Sequence, residues 1–306
     1  MGIVVIGSTF VDIKGYPSSI YIPGGRNAGT VEQVHGGVAR NIAEDVANVG
    51  FPCAFVTLLD DNGTGRDVEN RLRVHNVDTG YSRFTADGMG TWLAVFDSEG
   101  DVVASISKRP DLMPILTILQ EQGDEIFSKA DSVLIELDMD EEIVELTFEL
   151  AKRYGTKVFA VVSNMSIAVE RRDFLLRTAC FVCNQQEAGI LFVEDYENKT
   201  PAELVEILRD KVKSAKIPGM VVTMGSDGAV YADINGESGI CPAKKVNVVD
   251  TTGAGDAFFA GVSVGITAGK SLAESCEIGT TMAAAVIGTT ENTCPRFQPE
   301  EFGLSV

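Results

Sequence analysis

A short stretch near the C-terminus carries residue types from which a reaction can be built. It reads Asp250-Thr251-Thr252-Gly253-Ala254-Gly255-Asp256 and runs into Ala257-Phe258-Phe259-Ala260-Gly261-Val262. Two glycines around one alanine let the backbone turn sharply and approach a ligand closely. The apolar run behind them reads as a buried helix, whose first amides lack carbonyl partners inside it. Amides so placed favour an anion, and phosphate is the usual one. Asp256 falls in the same first turn. A carboxylate beside an anion hole is electrostatically awkward unless it accepts a proton, so the combination points to phosphoryl transfer onto a hydroxyl. An acid at this position can also serve the helix dipole alone, for about 0.3–1 kcal/mol. The two glycines cost stability without packing gain and favour the chemical reading.

Three further clusters stand out. In Gly36-Gly37-Val38-Ala39-Arg40-Asn41, paired glycines before a helix let a polar ligand touch the backbone, and Asn41 in the first turn can reach back to it. Asn184-Gln185-Gln186-Glu187 follows a strand and has the spacing of an N-cap with a capping box. Thr223-Met224-Gly225-Ser226-Asp227-Gly228 ends a strand in a Gly-rich turn. Other patterns fail. Gly265-Ile266-Thr267-Ala268-Gly269-Lys270-Ser271 has three residues between its glycines where a Walker A loop needs four. Gly269 reads better as a helix C-cap, with Ser271 and Glu274 as the next capping box. No strand-linked Gly-x-Gly-x-x-Gly appears, so a dinucleotide fold is unsupported. Asp60-Asp61-Asn62-Gly63 lacks the remaining calcium ligands.

The elements that must position these groups alternate. Apolar strand-like runs occur at Ile3–Ile6, Ala54–Leu59, Val133–Leu137, Val158–Val162, Phe181–Cys183 and Met220–Thr223, with helix-like segments between most of them. This alternation predicts a mostly parallel sheet covered on both faces. One helix follows Gly37, carries Val38, Ile42, Ala43, Val46, Ala47 and Val49 at helical spacing, and stops at Gly50. Another spans Glu141–Arg153. Residues about 9–35 and about 80–107 break the pattern and read as β-hairpins, with Trp92, Ala94 and Phe96 on one face. Paired as a small separate sheet, they would make a lid that excludes water.

Composition narrows the function. The chain has 306 residues with 44 acidic against 25 basic, a formal charge of -19. That argues against nucleic acid and against an anionic membrane surface, both of which need a basic face. Only two histidines, His35 and His75, are present, which weakens Ser-His-Asp and most zinc chemistry. The six cysteines are scattered; Cys180 and Cys183 have a redox spacing but belong to an apolar strand. Met1–Gly7 lacks a basic leader and reads as a first strand, and no apolar run reaches the roughly 18 residues of a spanning helix. The cytoplasm is the expected location.

The segment Asp250–Phe258 resembles the C-terminal signature of the PfkB/ribokinase family of sugar and nucleoside kinases. The resemblance covers essentially the whole chain. It implies an α/β fold, a ribokinase-like three-layer sandwich with a mostly parallel central sheet and a small β-sheet lid, as one domain over 1–306. It implies ATP as donor, with Asp256 as base for the acceptor hydroxyl and the amides of Gly253, Ala254 and Gly255 as the anion hole. Asp250 and Thr252 match positions that hold a monovalent cation such as K⁺. The N-terminal signature matches at Gly36, Gly37 and Asn41, which with Asp12 would bind acceptor hydroxyls, and Asp138 is a further candidate. Family members often place Asn two residues before that Asp; here Phe10 stands there. Asn184 and Glu187 resemble the Asn-x-x-Glu motif that organises the waters of Mg²⁺. Thr223, Gly225 and Gly228 would hold ATP, and Thr289 to Thr293, with Asn292, would line its adenine end. Gly36–Glu44, Asn27–Thr30 and Tyr231–Gly239 are more similar to pseudouridine kinases than to ribokinase. The expected partner is a small sugar or nucleoside, with pseudouridine favoured over ribose, fructose or another free sugar, and with homodimerisation through the lid. Arg40 and Arg109 are the obvious basic residues for an already phosphorylated acceptor. A nucleotide- or sugar-binding protein without catalysis is the reading from another class.

Overall fold

The structure is a computed structural model and describes residues 2–99, 101–162, 169–170 and 172–304. Its strands, in chain order, begin with β1 (Ile3–Ile6), β2 (Phe10–Pro17), β3 (Gly29–Gly36), β4 (Cys53–Val56), β5 (Leu58–Asp60), β6 (Val77–Asp78), β7 (Arg83–Thr85), β8 (Gly90–Phe96) and β9 (Val102–Lys108). They continue with β10 (Ser132–Glu136), β11 (Lys157–Val161), β12 (Phe181–Asn184), β13 (Gly219–Thr223), β14 (Ala229–Asp233) and β15 (Ser238–Cys241). Nine of them build one sheet in the order β15-β14-β13-β12-β11-β10-β1-β4-β6. β14 and β15 run antiparallel at one edge, and the other neighbours are parallel.

Alternation along the buried strands sorts side chains between two cores. Val4 and Ile6 face one layer; Ile3 and Val5 face the other. The second layer holds α1 (Val38–Asn48) and α2 (Gly63–Val74), the first α3 (Met113–Lys129), α4 (Glu141–Tyr154), α5 (Gln185–Phe192) and α6 (Pro201–Ala215). α7 (Ala254–Thr267) and α8 (Leu272–Ile287) complete the second layer. The glycines inside α7 serve close packing: a Cβ on Gly261 would lie 2.6 Å from the Gly279 Cα of α8. Cys180 and Cys183 are buried, free thiols, as a strand reading requires. The capping boxes at Asn184/Glu187 and Ser271/Glu274 both form.

A second, four-stranded sheet has the order β3-β2-β8-β9 and stands apart from the large one. Trp92 and Phe96 pack edge to face at 6.3 Å, and Tyr16 stacks on Phe96 at 5.0 Å. Two details differ from the sequence reading. The run Ala54–Leu59 is two strands, because the chain leaves the large sheet at Thr57. The Thr57 hydroxyl meets the Thr9 hydroxyl at 3.0 Å, and the Thr57 carbonyl accepts the Arg83 N–H. The early part of the 80–107 segment therefore pairs β7 with β5, outside the small sheet, which starts at Gly90.

Candidate active site

The chain crosses from the β1-β4-β6 half of the large sheet to the β10-β11-β12 half between β1 and β10. A crevice opens beyond the carboxyl ends of strands at such a switch point. Here it is a cleft of about 630 Å³. Ser8 follows β1, Glu136 ends β10 and Asp138 follows it, and Phe10, Asp12 and Trp92 come from the small sheet; all line it. Gly36, Gly37 and Asn41 enter from the start of α1, Thr252, Gly253 and Asp256 from the start of α7, and Asn292 from the segment after α8. Nine expected site residues thus converge from five separate segments. Cavities of about 470 and 680 Å³ elsewhere, beside α5 and between β15 and α8, contain none of them.

α7 begins at Ala254, and its N-cap Gly253 has φ 82. A Cβ at Gly253 would sit 2.1 Å from the Asn292 carbonyl, so the turn needs glycine on both counts. A Cβ at Gly255 would meet nothing within 4 Å: that position faces open space. The Ala254 N–H bonds the Thr251 carbonyl at 3.2 Å and so is not a bare donor as the sequence suggests. Among the described residues, no carbonyl takes the N–H of Gly253, Gly255 or Asp256. These donors lie at the positive end of the helix.

The Asp256 carboxylate stands beside them. Its Oδ2 accepts a hydrogen bond from Asn41 Nδ2 at 2.7 Å. Among the described residues no donor reaches Oδ1. Desolvation raises its pKa to about 7, reinforced by the Glu136 charge and opposed by Asn41 and Arg40. A carboxylate so tuned can take a proton near neutrality. Asp45, buried one turn along α1, accepts the Cys294 N–H at 2.7 Å, and burial pushes it well above the ordinary range.

Asp12 packs its carboxylate on Gly36: a Cβ there would lie 2.7 Å from Asp12 Oδ2. Desolvation raises Asp12, with Lys14 and Arg40 opposing. Phe10 lies against Gly90, whose Cβ would be 2.3 Å from its ring. Glu136 is a site residue that the sequence reading missed. Its buried carboxylate accepts Ser8 N–H at 2.9 Å, Ser8 O–H at 2.8 Å and Ala39 N–H at 3.0 Å. It ties the tips of β1 and β10 to the start of α1. Arg40 cannot greet a phosphorylated acceptor, because it is fully buried and donates to Gly36, His35, Asn41 and Glu44. Arg109 does line the cleft.

Asn184, Glu187, Thr223, Gly225 and Gly228 lie at or just past the ends of β12 and β13, outside the lining of that cleft. Asn184 and Thr223 are lateral partners in the sheet. Glu187 accepts the Asn184 N–H through Oε2 at 2.8 Å, and burial raises its pKa. Asn292, expected at the adenine end, instead donates to the His35 carbonyl at 2.9 Å beside the glycine turn. Asp250 accepts the Thr252 N–H at 2.8 Å, and this bond lowers its pKa.

Residues 2–295 match the family described as pfkB family carbohydrate kinase. The chain is 35% identical to the guanosine-inosine kinase of Exiguobacterium acetylicum over 292 residues, covering 95% of each. It is 26% identical to the pseudouridine kinase of Escherichia coli over 274 residues, covering 89% of this chain and 86% of that one. Among solved structures, Arabidopsis thaliana ribokinase complexed with ribose and ATP superposes with TM-score 0.83 at 21% identity, covering 98% of both chains.

Proposed function

The chain belongs to the pfkB family of carbohydrate kinases, and from that premise we propose that it moves the γ-phosphoryl group of ATP to the primary hydroxyl of a nucleoside. The observation that carries the proposal is Asp256, with one oxygen held by Asn41 and the other open, beside the bare amides of Gly255 and the helix start. Asp256 takes the hydroxyl proton. Asp12, Gly37 and Asn41 orient the acceptor, with Asp138 in the same lining. The amides of Gly253, Gly255 and Asp256 hold the phosphoryl oxygens, where charge spreads in a loose transition state. Asn184, Thr223, Gly225 and Gly228 hold ATP. Glu187 and Asn184 suit Mg²⁺, which takes oxygen ligands and keeps several waters; when bound it would neutralise phosphate charge. Asp250, half-buried and held ionised, suits the edge of a K⁺ site with Thr252.

Guanosine and inosine are the leading acceptors. The likeness to guanosine-inosine kinase supports them above pseudouridine, which stands second. Trp92, Leu112 and Met139 also line the cleft and offer apolar surface suited to a base, with Arg109 in the same lining. A guanidinium matches the O6 and N7 acceptors of a 6-oxopurine and mismatches the amino group of adenine. The kinase is proposed as a single domain with the small sheet inserted, working in the cytoplasm where ATP is available. Ile106, Val103 and Val31 are exposed on that sheet and support a homodimer through it, which sedimentation velocity would test. An ADP-release screen over guanosine, inosine, adenosine, pseudouridine, ribose and fructose tests the acceptor. Turnover of free ribose or fructose above every nucleoside would sink the nucleoside reading.

A further inference from the structure

Arg40 is among the largest fully buried side chains, and the reaction above gives it no part. Its neighbours give it one. A guanidinium only donates hydrogen bonds, whereas a primary amide has one accepting and one donating end. Arg40 Nη2 donates to Asn41 Oδ1. The amide nitrogen must then point the other way, and it does so, to Asp256 Oδ2 at 2.7 Å. Turned over, Asn41 would set its oxygen against a carboxylate and its NH₂ against a cation. The same guanidinium donates through Nε to the Gly36 carbonyl at 3.2 Å and through Nη2 to the His35 carbonyl at 2.8 Å. It thereby holds the turn on which Asp12 rests. Behind it, Glu44 accepts Arg40 Nη1 at 2.6 Å and Arg71 Nε at 3.1 Å, and Arg71 reaches Glu291 at 3.1 Å.

We infer that Arg40 is a positioning residue, which fixes the Asn41 amide so that one oxygen of Asp256 is engaged and the other is presented to the acceptor hydroxyl. Glu44 and Arg71 fix Arg40 in turn. The inference rests on Asp256 being the base. The charged or polar groups facing Asp256 are Arg40, Asn41 and Asp45 from α1 and Glu136 from β10.

A double-mutant cycle tests it. The acceptor kcat/KM at saturating ATP is measured for wild type, Arg40→Lys, Asn41→Ala and the double variant. Lysine keeps the charge but loses the forked geometry. Arg40→Lys is expected to lose about 10- to 100-fold through misplacement of the reacting groups. The double variant is expected to be no slower than Asn41→Ala alone, since coupled residues do not add. Arg40→Lys moves the acid limb of the pH–rate profile to higher pH, because the Asn41 hydrogen bond that holds Asp256 down is loosened. Arg40→Met with Glu44→Gln, which removes the buried pair together, moves that limb to higher pH. The KM for ATP reports that each variant is folded. Losses that add in the double variant, or Arg40→Lys at the wild-type rate, overturn the positioning role. Asp256→Asn at the wild-type rate removes the base itself, so the two failures are distinguishable.

Discussion

Replacing Asp256 by Asn should make the protein more stable and nearly inactive, and both effects come from one carboxylate. Desolvation raises Asp256 from its ordinary 3.8 to about 7 in the fold. The sign follows from linkage. Below pH 3.8 the group is protonated both folded and unfolded, and nothing is lost. Between there and pH 7 the unfolded chain ionises while the folded one holds its proton, so stability falls as pH rises; above pH 7 the loss is constant. At about 1.36 kcal/mol per pH unit, the ceiling is about 4 kcal/mol. For 306 residues at about 2.1 cal/mol/K each, that ceiling corresponds to a Tm rise of up to about 6 °C at pH 8. Asn keeps an oxygen for Asn41 Nδ2 and removes the charge. Thermal unfolding of both proteins from pH 4 to pH 8 is the assay: the gap should open with pH and close toward pH 4. Turnover by ADP release should fall about 10²–10⁴-fold. Wild-type kcat/KM should fall as pH drops below about 7. A variant no more stable than wild type at pH 8, or a gap independent of pH, would refute the desolvated-base argument.

Other substitutions separate geometry from chemistry. Gly255→Ala should fold normally, because its Cβ enters open space, yet it should lower kcat by filling the phosphoryl site; Gly253→Ala should cost several °C in Tm, since φ 82 and the Asn292 carbonyl both oppose it. Asp12→Ala should raise the acceptor KM at least tenfold and leave the KM for ATP within about twofold, because the contact removed is one made to the acceptor. Arg109→Met should narrow the preference for inosine over adenosine by about 10-fold or more, read from the two kcat/KM values, because a bidentate base contact is worth about 1–3 kcal/mol.

Local chemistry made much of this molecule legible from sequence. Gly37 ahead of a helical apolar repeat, the Gly253 turn ahead of α7, and the capping boxes at Asn184 and Ser271 are short-range patterns, and all form where expected. Glu136 was not legible, because a lone glutamate at a strand end has no local pattern, and its partners Ser8 and Ala39 come from distant segments. Arg40 looked like a free cation, since nothing in its own helix says that the polar face turns inward; its i+4 partner Glu44 was the one available hint. The break at Thr57 leaves no mark in the sequence for a similar reason. An uninterrupted apolar run carries no signal that a contact with Thr9 will redirect it.

The residues proposed to bind the two substrates stand on scaffolds of different stiffness. Asn184 and Thr223 face each other on adjacent strands of a sheet clad on both sides, so their separation is locked by ladder bonds and buried cores. Asp12 and Trp92 ride on a four-stranded ribbon whose last strand, Val102–Lys108, is exposed along its whole length. Bending that ribbon forfeits little buried apolar surface, whereas moving the rungs would tear two cores. On the proposed assignment, adaptation to differently sized acceptors falls to the ribbon, while the strand ends proposed to hold the nucleotide keep one shape.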